Sequence, residues 1–305
     1  MSIQLPVATE SIRCVDFARA NSVDPGGSGL GVDAIALVEV PEPWPKPAGK
    51  HEDLVELVMV AQARSENVRL LAAIPHDADA PRVIVFRAQP TGMTRVEAVL
   101  GDDPMAVFAA ALTRSFDGEG DVVPTFGGAR TVLVCTQGSH DMCCGVEGGA
   151  LADRLEVDRP DIEIFRVSHT GGHRFAPTAM TLPDGRMWAY LTAPAVGAII
   201  DRVEVEGMAR HCRGWWGAPT GRAQVAERAV FDRVGFGVDG LERSVVVGFE
   251  GDPDLVSVTA GDRTWHLRVE QGREVPTISC EVPGGKPVKP GFEWNVVEFH
   301  GAGQH

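Results

Sequence analysis

The order strand, helix, strand, strand, strand, helix is written twice along this 305-residue chain, and that repetition limits the possible folds more than any other feature. The first copy opens with the near-continuous apolar run DAIALVEV, Asp33 to Val40, which suits a strand covered on both faces. In HEDLVELVMVAQARS, Leu54, Leu57, Val58 and Ala61 recur at helical spacing. Strands follow in VRLLAAI, RVIVFRA and TRVEAVL, the last two joined by the turn-forming QPTG. The helix DDPMAVFAAALTR closes the copy, with Asp103 placed to cap it and Pro104 in its first turn.

From Arg130 the order returns: RTVLVC as strand, GALADRLE as helix, IEIFRVS as strand, TAMTL and RMWAYL as a hairpin around Pro183-Asp184-Gly185, and APAVGAIIDRV as helix. Matching elements lie about 95 residues apart, the signature of an internal duplication rather than a short-period array. Beyond Gly207 the pattern changes. The helix TGRAQVAERAVFDRVG leads into short strands, RSVVVGFE, LVSVTAG, TWHLRVE, TISCEV and WNVVEF, punctuated by Asp, Gly and Pro, a mostly antiparallel pattern. The expectation is an α/β protein with boundaries at 1–125, 126–206 and 207–305, the last a helix plus a β-rich unit.

Composition narrows the function. Hydrophobic residues make up 44% and charged residues 23%, an ordinary globular balance. A formal net charge of −14 argues against sequence-independent nucleic-acid binding, which needs a basic surface. No stretch approaches a membrane span, and MSIQLPVATESIRC lacks a basic end followed by an apolar run, so a cytoplasmic protein is expected. Glycine-rich DPGGSGLG lacks the strand and helix context of a dinucleotide loop and the Lys-Ser/Thr ending of a phosphate loop. There is no G-x-S-x-G and no H-E-x-x-H, so nothing suggests a hydrolase.

The chemistry-bearing residues concentrate on two loops. CTQGSHDMCC runs from Cys135 to Cys144, and HTGGHRF begins at His169. Cys135 ends a strand and Cys144 sits where a helix begins, beside amide groups that favour a thiolate. His169 and His173 bracket two glycines after the next strand of the same unit, so both loops are expected at one edge of one sheet. Two thiolates and two imidazoles suit either a tetrahedral zinc site, for which C-x8-C is wider than usual, or a larger 2Fe–2S cluster. A thiol-redox centre using Cys135 with Cys144, or Cys143 with Cys144, is a third option, disfavoured by the absence of C-x-x-C.

CTQGSHDMCC, SHTGGHRFAPT and LPDGRMWAYL resemble the thioredoxin-like ferredoxins of the sucrase/ferredoxin-like family, and CVDFARA and VEVPEPWP resemble that family's N-terminal part. The resemblance covers roughly residues 10 to 235 and is densest between 130 and 192. It implies two tandem thioredoxin-like units, the second holding a 2Fe–2S cluster on Cys135, Cys144, His169 and His173. Asp141, Gly171, Gly172, Arg174 and Phe175 match the surrounding pattern, whereas Gln137 and His140 stand where members often carry His and Arg. It also implies an electron carrier that works with a redox partner protein rather than an enzyme in its own right.

With two neutral imidazoles in place of thiolates, such a centre is less negative than an all-cysteine one, so its reduction potential should be comparatively high. A solvent-reachable coordinated imidazole would couple that potential to pH, lowering it as pH rises.

Other residues have plainer readings. In the first copy Ile74-Pro75-His76 falls on Val167-Ser168-His169, but with no counterpart of Cys135, Cys144 or His173 the copy is expected to bind nothing there. Cys143 should point away from Cys144 as a buried small side chain, and Cys14, Cys212 and Cys280 read as scattered buried thiols. Asp141 could cap the following helix, and His140 and Asp141 could tune the centre through hydrogen bonds. Trp215-Trp216 reads as core packing and Arg213 as a solvated surface charge.

Overall fold

The computed structural model describes residues 3–125, 130–280, 282–285 and 287–304. A short helix, α1 (Cys14–Ala20), precedes the first copy. That copy runs β1 (Ala34–Glu39), α2 (Val55–Gln62), β2 (Val68–Ala73), β3 (Arg82–Gln89), β4 (Gly92–Val99) and α3 (Pro104–Phe116). The Asp103 carboxylate accepts the Ala106 N–H at 2.9 Å, so the expected cap closes the start of α3. A short strand that the sequence reading did not separate, β5 (Asp121–Pro124), follows.

The second copy runs β6 (Thr131–Cys135), α4 (Gly149–Asp158), β7 (Glu163–Val167), β8 (Ala179–Leu182), β9 (Arg186–Trp188) and α5 (Ala193–Ile200). After it, β10 (Cys212–Trp215) pairs with β9 and extends the same sheet.

These strands form one ten-stranded sheet in the order β10-β9-β8-β6-β7-β2-β1-β3-β4-β5. Within it the two copies have the same arrangement, β2-β1-β3-β4 and β7-β6-β8-β9, with the first pair of each parallel and the rest antiparallel. They meet edge to edge through β2 and β7, which run antiparallel with Ala73 opposite Val167. The Ser168 N–H donates to the Ala72 carbonyl at 2.8 Å, and the Ile74 N–H to the Arg166 carbonyl at 3.0 Å.

Alternation along the strands sorts the core. Ala34, Ala36 and Val38 of β1 pack with Leu57 and Ala61 of α2 and Phe108 and Leu112 of α3. Val132 and Val134 of β6 play the same part toward Leu151 and Leu155 of α4 and Val196 and Ile199 of α5. The intervening Ile35, Leu37 and Leu133 join a cluster shared by both copies, which includes Trp215 and Trp216. All six residues of β1 and all five of β6 are buried, as their largely apolar runs favour, and the one charged member, Glu39, pairs with Arg82 at 2.7 Å.

The C-terminal part comprises α6 (Gly221–Val234) and an antiparallel sheet, β11 (Arg243–Val247), β12 (Leu255–Ala260), β13 (Arg263–Ile278) and β14 (Pro287–Gln304), in that order. TWHLRVE and the start of TISCEV belong to one long strand, β13, rather than two. Its register against β14 shifts at four places, and these irregularities let the strand continue past Gln271-Gly272, which reads as a turn. A fully buried ion-pair network joins this part to the second copy. Arg186 of β9 reaches Glu227 of α6 at 2.8 Å and Asp239 at 2.6 Å, and Arg243 of β11 contacts both carboxylates.

Candidate metal centre

Because β6 and β7 are parallel neighbours with Cys135 opposite Val167, their carboxyl ends release both chemistry-bearing loops at one edge of the sheet. Cys135 is the last residue of β6. Cys144 starts a single wide helical turn, Cys144–Gly148, of the π type, that leads into α4. The turn packs so closely on β6 that a Cβ on Gly148 would sit 2.0 Å from the Cys135 carbonyl oxygen. Glycine is therefore required there for Cys144 to lie beside Cys135.

The loop after β7 is equally constrained. Gly172 adopts φ +69°, and a Cβ there would lie 2.7 Å from the Arg213 guanidinium. Two glycines thus let the backbone turn over a buried arginine and present His169 and His173 on either side. Arg213 is 1% exposed, which corrects the reading of a solvated charge. Its guanidinium donates to the Ser28 hydroxyl at 3.1 Å and the Ser28 carbonyl at 2.5 Å. Its Nη1 has no hydrogen-bond partner among the described residues.

Three of the four expected ligands converge. The Nδ1 atom of His169 lies 3.8 Å from the Cys135 sulfur and 3.9 Å from the Cys144 sulfur, and the three donor atoms all fall within 4.8 Å of one another. Both cysteines are buried, whereas His169 is half-buried. Gln137, 1% exposed, fixes this loop: its side-chain oxygen accepts the His169 N–H at 3.0 Å and its amide nitrogen donates to the Pro45 carbonyl at 2.7 Å. His140 stacks on His169, with ring centroids 3.7 Å apart.

His173 stands next to the group, its ring centroid 5.9 Å from that of His169. Its Nδ1 faces Asp141 Oδ2 at 3.0 Å and the Cys14 sulfur at 3.1 Å, which leaves Nε2 as the nitrogen free to hold a metal. Asp141 also accepts the Cys143 N–H at 3.0 Å, so the carboxylate that begins the helical turn orients the histidine as well.

A second gathering was not legible in the sequence. Cys143 points away from Cys144, as expected, but it meets Cys14 and Cys280 beside Asp141. These cysteines are not scattered, and no spacing motif could have found them because they lie more than a hundred positions apart. Cys212 remains a buried thiol, with Arg186 Nη1 3.8 Å from its sulfur.

The electrostatics favour one anionic sulfur at the first group, Cys135, while hydrogen bonding to Cys135 and then burial push the Cys144 thiol up. The Cys144 thiol hydrogen bond lowers the Cys135 pKa, burial opposes it, and His169 lowers it further, so the net direction is down. Burial, then the charges of His169 and Lys46, push His140 down to about 4, keeping its ring neutral at pH 7. Burial, partly offset by attraction to Cys135, lowers Arg213 to about 10, so it remains a cation beside the cysteines. For Asp141, burial disfavours ionisation, but hydrogen bonding from His173 and then its charge outweigh it and the pKa falls.

Comparison with known proteins adds one match. A family model described as sucrase/ferredoxin-like matches residues 33–214, a segment that includes both loops and both copies of the repeated strand and helix order, β1 to α5. No curated protein and no solved structure matches the chain.

Proposed function

The chain belongs to the sucrase/ferredoxin-like family, and from that premise we propose that it is an electron carrier whose Cys135, Cys144, His169 and His173 hold one 2Fe–2S cluster. The observation that carries this reading is the meeting of two buried sulfurs with the half-buried imidazole of His169, His173 standing beside them, at the carboxyl edge of β6 and β7. The donor set fits the group: thiolates and imidazoles are the ligands such clusters use, and the buried Arg213 offers an unpartnered N–H beside a site that would become negative.

When bound, the cluster supplies one-electron transfer. The residues of the chain set the conditions for it. Asp141 accepts from His173 Nδ1 and so selects the tautomer that leaves Nε2 to ligate. Gln137 fixes the backbone at His169, and His140 covers one face of the His169 ring. Cys135 and Cys144 lie inside while both histidines reach the surface, so electrons would enter and leave on the histidine side. Met142 and Val146, exposed on the cysteine loop and the turn after it, offer apolar surface for a redox partner protein.

The proposal extends to two tandem thioredoxin-like units over 1–125 and 126–206, a third unit over 207–305, and a cytoplasmic setting. Among the described residues no helix is long and apolar enough to cross a membrane.

A second reading has its own observation. Ligand atoms 3.8 and 3.9 Å apart are close to the roughly 3.6 Å edge of a tetrahedron built from Zn–S of about 2.3 Å and Zn–N of about 2.1 Å. A zinc-stabilised interaction module would satisfy them.

The two readings separate on purification without added metal. The cluster predicts a red-brown protein with iron and acid-labile sulfide in equal amounts and an EPR signal on reduction. A colourless protein with zinc and no sulfide overturns the carrier. His169→Cys or His173→Cys should retain a cluster and lower its potential.

A further inference from the structure

We propose a second metal site, separate from the first, in which Cys14, Cys143, Cys280 and Asp141 bind a zinc ion that locks both ends of the chain onto the metal-binding loop. The inference does not rest on the iron–sulfur reading and uses none of its four residues.

The geometry is that of a tetrahedral site. Sulfur–sulfur separations are 3.6 Å for Cys14 and Cys143, 3.1 Å for Cys143 and Cys280, and 3.3 Å for Cys280 and Cys14. Asp141 Oδ1 lies 3.5 Å from the Cys14 sulfur and 3.4 Å from that of Cys280. Zinc with Zn–S of about 2.3 Å and Zn–O of about 2.1 Å requires edges of about 3.8 Å between sulfurs and about 3.6 Å from sulfur to oxygen. The sulfur–oxygen edges come within about 0.2 Å of these values and the sulfur–sulfur edges are about 0.2–0.7 Å shorter, so an ion would spread the three sulfurs slightly. All four donors lie within 4.8 Å of one another.

Hydrogen bonding among thiols is a poor alternative account. S–H is a weak donor and sulfur a weak acceptor, so three cysteines from distant parts of the chain gain little by meeting around a carboxylate. The ligand types also choose among metals. Three thiolates select a thiophilic ion, the hard carboxylate oxygen disfavours Cu(I), and a closed tetrahedral set of this kind suits zinc. Binding would release the thiol protons to solvent and oxidise nothing.

The placement explains what the site is for. Cys14 is the first residue of α1, Cys280 follows β13, and Cys143 sits on the loop between β6 and the helical turn. One ion would close a loop spanning 266 positions, where clamping removes most chain entropy. Asp141 would then serve two centres, with Oδ1 toward the sulfurs and Oδ2 on His173.

The test is metal analysis and cadmium NMR on the full chain purified under reducing conditions. About one equivalent of zinc per chain is expected, falling to background in Cys14→Ser and Cys280→Ser, with iron content unchanged in Cys280→Ser, and persisting in Cys212→Ser. If either serine variant fails to fold, wild-type protein loaded with cadmium decides, since its shift reports the number of sulfur ligands and three are expected. A wild-type chain that takes up neither zinc nor cadmium overturns the proposal. So does zinc that persists in folded Cys280→Ser, or a Cys14–Cys280 disulfide in the freshly isolated protein. Zinc without iron, lost from Cys280→Ser, would sink the electron-carrier reading and leave this one standing.

Discussion

At the scale of single residues, the two loops depend on positions where only one side chain works. Gly172 combines a left-handed backbone with the close approach of Arg213. Gly172→Ala should therefore cost about 1–3 kcal/mol of stability, read as a lowered denaturant midpoint, and should loosen His173. Asp141→Asn retains the size of the side chain but removes the anion that holds His173. It should leave the fold intact and weaken retention of iron by about 10- to 100-fold, measured as iron lost to a competing chelator. Cys135, Cys144 and His169 were legible because their spacing was concentrated on two loops. Arg213, Cys14 and Cys280 were not, since burial and convergence over such separations leave no local signal.

At the scale of elements, periodicity and caps carried most of the reading. The near-continuous apolar runs became β1 and β6, and the Asp103-Pro104 pair begins α3 as expected. Asp103→Ala should destabilise the protein by about 1 kcal/mol, detectable in chemical denaturation, because the Ala106 N–H loses its acceptor. The short strands β5 and β10 escaped because four residues at a sheet edge carry too little pattern. TWHLRVE and TISCEV read as two strands in what is one, since pairing with β14 absorbs the irregularity between them as register shifts.

At the scale of the whole molecule, buried charge ties the parts together. Arg186, Glu227, Asp239 and Arg243 lie inside with almost no exposure, so removing one partner strands the others. Glu227→Ala should cost about 3–5 kcal/mol by thermal or chemical unfolding, more than an exposed pair would. Acid should act on this network, where burial opposes ionisation of Asp239 but Arg186 and Arg243 outweigh it, and on other pairs too. Burial opposes ionisation of Glu163, but Arg95, bonded at 2.6 and 2.9 Å, outweighs it and the folded pKa is lowered. For Glu39, burial is outweighed by Arg82 and His76 in the same direction. Such carboxylates add stability that is fully present above their unfolded pKa of about 4.3 and is lost as pH falls through the folded values. The unfolding midpoint should drop below about pH 4, and Glu163→Gln should flatten that drop.

The sequence alone determined the repeated order of strands and helices, the alternation that sorts core from surface, and the two loops that carry sulfur and imidazole. These are properties of neighbours within about ten positions, and local propensity and burial period decide them. The tertiary structure decided the edge-to-edge joining of the two copies, the burial of Arg213 and the gathering of Cys14, Cys143 and Cys280 around Asp141. Such contacts arise when a sheet brings distant segments together, and their energy depends on geometry that no stretch of sequence contains.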